Sequence, residues 1–408
     1  MMQWKTYPRL GLDITWRHLI SQLIKSGDPS ERARLQMEIA SYWPDSRAIA
    51  ITFSARTAFD LLLQVLELSP GTEIIASAVN IRHMEEIAKF HQSILVPVDL
   101  ELDTLAPNLD QFRSLISPQT RLCLIAHLFG SVIPLDPYLN LCHNNNILLI
   151  EDCAQAFAGS HYLGDDRADV SLFSFGSIKT CSALGGSVAL IRDRQLAREL
   201  QTRQTFYPIK SNWSYRKRLI KYCGLKTISS PPIYHQTLNL LRLGRQDIDR
   251  TIGASARGFT SAELIPQLRY QPATLLLNLL ARRLQTCPSY QPRISKAKVL
   301  LEQLSQRLPE IQIPGSAIVR HSFWLFPILY HAPQQLMEQL RDRGFDATRG
   351  NTSIVAMTPT NGIPLPNATY LIQHLLYLPL SSLLPDIELL RLVECLEEFA
   401  TNMSPKNG

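Results

Sequence analysis

A chain of 408 residues is longer than one compact core usually organises, so two closely associated lobes are expected. Hydrophobic residues make up 45% and charged residues 19%, which excludes a disordered or fibrous chain, and no window approaches the run of about 20 apolar residues that a spanning helix needs. The 41 Lys and Arg against 35 Asp and Glu leave a net charge of +6, suited to anionic ligands but too thin for a whole-protein nucleic-acid footprint.

The opening MMQWKTYPRLGLDITW has no apolar core of signal-peptide length. The seven cysteines, Cys123, Cys142, Cys153, Cys181, Cys223, Cys287 and Cys395, form no CxxC pair and read as reduced thiols. A cytoplasmic protein without stable membrane insertion is expected. From about residue 48 to 192, short apolar runs alternate with helical patterns. AIAITF, EIIAS, ILVPVDL, TRLCLIAHLFG, ILLIEDC, VSLFSFG and GGSVALI read as strands, and TAFDLLLQVLEL, NIRHMEEIAKFHQ and LDPYLNLCHNNN as helices. Such alternation predicts βαβ units, hence a three-layer α/β lobe around a mainly parallel sheet.

Residues 205–256 form a basic, aromatic-rich stretch that reads as an insertion. Lys210, Arg216, Lys217, Arg218 and Lys221 are interleaved there with Trp213, Tyr215 and Tyr222. A solvated face is one reading; cover for a phosphorylated substrate or contact with an anionic membrane surface are the others. Beyond it, SAELIPQLRYQPATLLLNLLARRLQ predicts a helix pair or a long helix interrupted near Pro272. HSFWLFPILY, QQLMEQLRDRGF and IELLRLVECLEEFAT then predict a smaller α+β lobe. The expected division is 1–260 for an N-terminal arm and large domain, and 261–408 for the C-terminal domain.

Three features carry chemistry. Asp152 closes the strand ILLIEDC, at the carboxyl edge where parallel sheets bind ligands. Lys179 lies on a loop after VSLFSF, 27 residues downstream, with Ser174 offering a hydroxyl and Gly185 and Gly186 permitting close backbone approach. SARTAFDLL starts a helix directly after a strand, so its first amides, with Arg56 and Thr57, suit an anion. Singly these are commonplace, since a loop lysine is usually solvated and a strand-end aspartate often caps a helix. Together they meet the demands of pyridoxal phosphate: an amine for the imine, a carboxylate for the pyridine nitrogen, and donors for the phosphate. His83, His91 and His143 lack metal-ligand spacing, and no metal site is expected.

The segments LELSPGTEII, LVPVDLELDTLAPNLDQF, HLFG, IEDCAQAFAGS, and SLFSFGSIKT followed by LGGSVAL resemble the DegT-type nucleotide-sugar aminotransferases, which belong to fold type I of the pyridoxal-phosphate enzymes. GFDATRG and YLPLSSLLPDIELLRLVECLEEF are later echoes. The resemblance implies that Lys179 is Schiff-base residue and proton shuttle, and that Asp152 pairs with the pyridine nitrogen. It also implies that Gln155 contacts the phenolic side of the ring, that Ser174 holds phosphate, and that Arg56 and Thr57 stand where the family has a Gly-Thr-Ala turn. It departs from the family at Ile81, in place of a ring-stacking aromatic, and in TIGASARGFTSAEL, where Arg257 would replace an asparagine reaching a neighbouring subunit's phosphate.

As a family member the chain would be a homodimer that moves an amino group from a donor such as glutamate to a nucleotide-linked keto-sugar. A dehydratase or lyase on the same cofactor is the alternative, though the family's dehydratase branch usually has histidine where Lys179 stands. A non-catalytic protein retaining the fold is the other. His127 reads either as a substrate residue or as a structural histidine, and Arg349 with Asn351 either as substrate residues or as a solvated turn.

Overall fold

The computed structural model describes residues 5–9, 11–44, 47–243, 259, 263–350, 353–360, 362–381 and 384–403. The seven apolar runs of the first half form β1 (Ala48–Thr52), β2 (Glu73–Ser77), β4 (Ile94–Val98), β5 (Thr120–Ala126), β6 (Leu148–Asp152), β7 (Val170–Ser174) and β8 (Ser187–Ile191), while Asn80 and Ile81, expected to open a helix, join the short β3 (Val79–Ile81) instead. Seven of them make one sheet in the order β1-β8-β7-β6-β5-β2-β4. The ladders from β7 through β6, β5 and β2 to β4 are parallel, whereas β8 runs antiparallel to both neighbours. With β8 alone reversed, the carboxyl ends of the other six strands share one edge, where ligands of open α/β sheets bind.

Helices cover both faces of this sheet. On one, Phe59, Leu62, Met84 and Leu200 pack with Ala50, Ile74 and Ala189. On the other, Trp43, Phe157, Leu275 and Leu279 pack with Phe173 and Val188, and Phe112 and Tyr138 pack with Val96 and Cys123. Burial on both faces explains why the central strands read as near-continuous apolar runs rather than alternating ones. The helix after β1 spans Ala55–Leu66, two residues earlier than the apolar pattern begins, because the Ser54 side chain caps it by accepting the Thr57 amide.

The smaller lobe contains β9 (Phe326–Leu329), β10 (Ile354–Ala356) and β11 (Leu375–Leu378). β9 and β11 pair antiparallel, and the helices Gln291–Arg307, Pro333–Asp342 and Asp386–Met403 share a core with them through Leu300, Leu340 and Leu396. β10 pairs with β3, so a short ladder joins the lobes. The helices Leu264–Leu268 and Thr274–Gln285 flank Pro272 as a pair, and both pack into the sheet-side cores. Along this stretch the chain passes from the sheet-side core to the core of the smaller lobe between Leu284 and Tyr290. Within the basic insertion, the helices Asn212–Ile228 and Pro231–Leu243 form, and the first buries Tyr215, Leu219 and Tyr222 beside Leu19 and Leu275.

Candidate active site

The loop bearing Lys179 is closed on itself by the backbone. Phe175 donates its amide to Gly186, and its carbonyl accepts the amides of Ala183 and Gly185, all at 3.0 Å. Gly186 has φ +85°, and a Cβ there would meet Leu276 at 2.8 Å, so only glycine lets the chain turn into β8 this close to the helix beneath. The loop is also pinned from outside. The Thr180 hydroxyl donates to the Phe157 carbonyl, the Cys181 amide donates to Asp13 and to Tyr290 Oη, and Trp324 Nε1 donates to the Ile178 carbonyl at 2.9 Å. Lys179 is thereby held by structure that does not involve its own amine.

That amine lies 4.1 Å from the centre of the Trp324 ring. Burial lowers its pKa to about 7, the Asp152 charge opposing this and the Arg56 charge adding to it. Asp152 ends β6, in register with Leu172 of β7, and one carboxylate oxygen accepts the Ala154 amide at 2.9 Å. Burial raises the Asp152 pKa, against the pull of that amide and of the Lys179 and Arg56 charges. A Cβ at Gly176 would stand 3.8 Å from both Ser174 Oγ and Lys179 Cγ, so hydroxyl and lysine stem flank the same backbone atom. Gln155 presents a fixed amide: its Oε1 accepts the Phe129 N–H at 2.9 Å, which leaves Nε2 to donate elsewhere.

Arg56 occupies the first turn of the helix Ala55–Leu66, with its guanidinium 5.2 Å from the Phe259 ring. Burial lowers its pKa to about 10, opposed by Asp152 and Glu86, so it stays charged at neutral pH. Its Nε is buried without a hydrogen-bond partner among the described residues, as are Asn80 Nδ2 and His83 Nδ1. Asp60, one helical turn on, instead binds His91 and Arg269. The orphaned Arg56 donor, the carboxylate, the near-neutral amine and the hydroxyl suit a small aromatic anion with a basic ring nitrogen and an aldehyde. Pyridoxal phosphate therefore fits these residues.

Other expected site residues have different work. Thr57 donates its hydroxyl to the Leu268 carbonyl at 2.9 Å and its amide to Ser54, which ties the helix down and removes Thr57 from the anion donors. His127 is a structural histidine. Its Nδ1 accepts the Ile133 amide at 3.0 Å, so the proton sits on Nε2 and is donated to Glu151 at 2.8 Å. Glu151 also accepts from Tyr162 and Ser171, and these bonds outweigh its burial and hold its pKa below the usual carboxylate range. His127, Glu151 and Cys153 place ligand-type atoms within 4.8 Å of one another, yet both imidazole nitrogens are engaged by protein and offer nothing to a metal. Arg349 is exposed and donates to the Gln373 carbonyl at 2.6 Å. Asn351 and Arg257 lie outside the described residues. Sequence reasoning missed Trp324, His83 and Asn80. Trp324 is separated from Lys179 by most of a lobe, and no local pattern links them.

The model of the DegT/DnrJ/EryC1/StrS aminotransferase family matches residues 17–227. GDP-perosamine synthase of Caulobacter vibrioides is 26% identical over 193 residues, which cover 47% of this chain and 49% of that protein. A dTDP-4-dehydro-2,3,6-trideoxy-D-glucose 4-aminotransferase of Saccharopolyspora spinosa is 24% identical over 352 residues, 84% of this chain and 82% of that one. The alignment thus spans about half the length of the first relative and about four-fifths of the second. The solved structure of E. coli GDP-4-keto-6-deoxy-D-mannose-3-dehydratase with bound hydrated PLP has a TM-score of 0.69 at 15% identity, covering 96% of this chain and 99% of that one; the likeness shows a shared fold.

Proposed function

Because the chain belongs to the DegT/DnrJ/EryC1/StrS aminotransferase family, we propose that it is a pyridoxal-phosphate-dependent aminotransferase that moves an amino group from glutamate to a keto group on a nucleotide-linked sugar. The observation that carries this reading is the placement of the Lys179 amine against the Trp324 ring, on a loop that leaves β7 at the sheet edge where the neighbouring β6 ends in Asp152. Both aligned relatives bear the names of enzymes of nucleoside-diphosphate sugars, which supports the substrate class. Lys179 stands against the dehydratase reading.

Bound pyridoxal phosphate supplies an electron sink for charge released at a substrate carbon and carries the amino group from donor to acceptor. Lys179 moves the proton. Near pH 7 its Nζ is substantially neutral, so it takes a proton from the donor's α-carbon and later returns one to the acceptor's. Asp152 holds a proton at the ring nitrogen, its buried carboxylate being aligned by the Ala154 amide. Gln155 orients the phenolic oxygen through Nε2, and Arg56 and Ser174 bind the phosphate. Trp324, itself buried, backs the lysine and keeps water from it. The protein works as a homodimer.

Purified protein should be incubated with the cofactor, glutamate and either a GDP- or a dTDP-linked keto-sugar. Appearance of the amino-sugar with an equal amount of 2-oxoglutarate is expected. Loss of a hydroxyl from the sugar without nitrogen transfer would overturn the reading in favour of dehydration.

A further inference from the structure

The basic insertion is not a uniformly solvated face. From Leu200 to Gln246 the sequence holds nine Lys or Arg and no Asp or Glu, and from Ile14 to Gly27 there is likewise no acid. The fold packs these two acid-free stretches together. Arg216 Nη2 donates to the Lys25 carbonyl at 2.6 Å and Asn212 Nδ2 to the Gly27 carbonyl at 2.8 Å, so the helix Asn212–Ile228 starts where the helix Trp16–Leu23 ends. At the other end Asp13 acts on Lys226, so the pair runs antiparallel. The flanking acids are engaged: Asp13 with Arg283 and Tyr290, Asp28 with the Ser30 amide.

The outward side of this pair is apolar at helical spacing. Trp16, Ile20 and Ile24 are exposed on one helix, Ile24 to 83%. Trp213 and Ile220 are exposed on the other, to 61% and 57%, with Lys217 and Lys221 between and beside them. Among the described residues these are the two exposed tryptophans, since Trp43 and Trp324 are buried. We propose that this two-helix face docks the protein on an anionic lipid surface, lying in the headgroup region with the tryptophans and isoleucines inserted and the lysines against lipid phosphate.

Three observations select this occupant. Aliphatic Ile20, Ile24 and Ile220 have no partner on a nucleic acid, whereas they complete a lipid-facing stripe. A symmetric contact with a second copy would set this acid-free basic face against itself, and like charges would oppose it. No helix among the described residues is long and apolar enough to cross a membrane, so attachment would be peripheral.

The full chain, loaded with cofactor, should be sedimented with vesicles of phosphatidylglycerol and phosphatidylcholine in equal parts, and with pure phosphatidylcholine vesicles. Binding is expected to the anionic vesicles alone and should weaken as salt rises. Trp213→Ser with Ile220→Ser, and separately Lys217→Ser with Lys221→Ser, should each weaken it about thirtyfold without changing turnover. Wild-type failure to bind anionic vesicles, or unchanged binding by both variants, would overturn the proposal. So would a duplex DNA or RNA bound more tightly than the vesicles. Self-association that the Trp213/Ile220 variant abolishes, in the absence of any lipid binding, would assign the face to a second copy and overturn it too.

Discussion

Lys179→Met keeps the length and apolar stem of the side chain while removing the amine, and it separates chemistry from folding. The amine's pKa falls from its ordinary 10.5 to about 7 because burial disfavours the charged form. At about 1.36 kcal/mol per pH unit, that displacement amounts to at most about 5 kcal/mol of native-state destabilisation when the group is protonated. The amine is buried but the Lys179 side chain as a whole is half-buried and gains from the Trp324 ring, so about half of that, 2 to 3 kcal/mol, is the expected figure. Between pH 7 and 10.5 the unfolded chain binds more protons at this site than the native one, so wild-type stability climbs with pH across that window. The apo-form of Lys179→Met should therefore exceed apo wild type in urea denaturation by about 2 to 3 kcal/mol at pH 6, by about 1 kcal/mol at pH 9, and by nothing above pH 10.5. Transamination should be abolished throughout. Equal stabilities at pH 6, or a gap that widens as pH rises, would refute the argument that burial neutralises this amine.

Asp152→Asn should retain cofactor but lose most turnover, because an amide cannot hold a proton at the ring nitrogen; unchanged kcat would remove Asp152 from that role. Arg56→Ala should weaken cofactor affinity about tenfold to hundredfold, the range for hydrogen bonds to charged groups, and added cofactor should restore much of the rate; equal dissociation constants on titrating the two apo-proteins would contradict it. Trp324→Leu removes a ring worth about 1 to 2 kcal/mol to the ammonium, so the pH at which the amine captures added pyridoxal phosphate half-maximally should fall by about one unit, and an unmoved profile would deny the contact its effect. His127→Ala should cost about 2 to 5 kcal/mol by leaving Glu151 and the Ile133 amide short of a partner, with the cofactor spectrum of the folded fraction unchanged; a spectral shift without loss of stability would return His127 to the site.

That Lys179 and Asp152 follow strands ending at one sheet edge was legible because β6 and β7 are parallel neighbours, and strand ends are readable from apolar runs. Strand direction was not: GGSVALI carries the same pattern whichever way β8 runs, and its reversal is evident only from the ladders with β1 and β7. The place of the helix Thr274–Gln285 was not legible, because a helix buried on nearly every side has an apolar pattern that suits either lobe, and only packing sets it beside the sheet. Thr57 and His127 show the same limit at single residues. Their types suit a site, but the Leu268 carbonyl and the Glu151 carboxylate that engage them are set by tertiary structure. Trp324 reaches Lys179 from the far lobe, a contact that no local spacing encodes.

The account's central claim is that Lys179 is the residue joined to the cofactor. The direct measurement is to add pyridoxal phosphate to the purified protein, reduce with borohydride, digest, and locate the phosphopyridoxyl group by peptide mass spectrometry. The account predicts the group on the peptide containing Lys179 and its loss, with no new site, in Lys179→Met. A reduced adduct on another lysine with Lys179 unmodified, or no adduct at saturating cofactor, would contradict it.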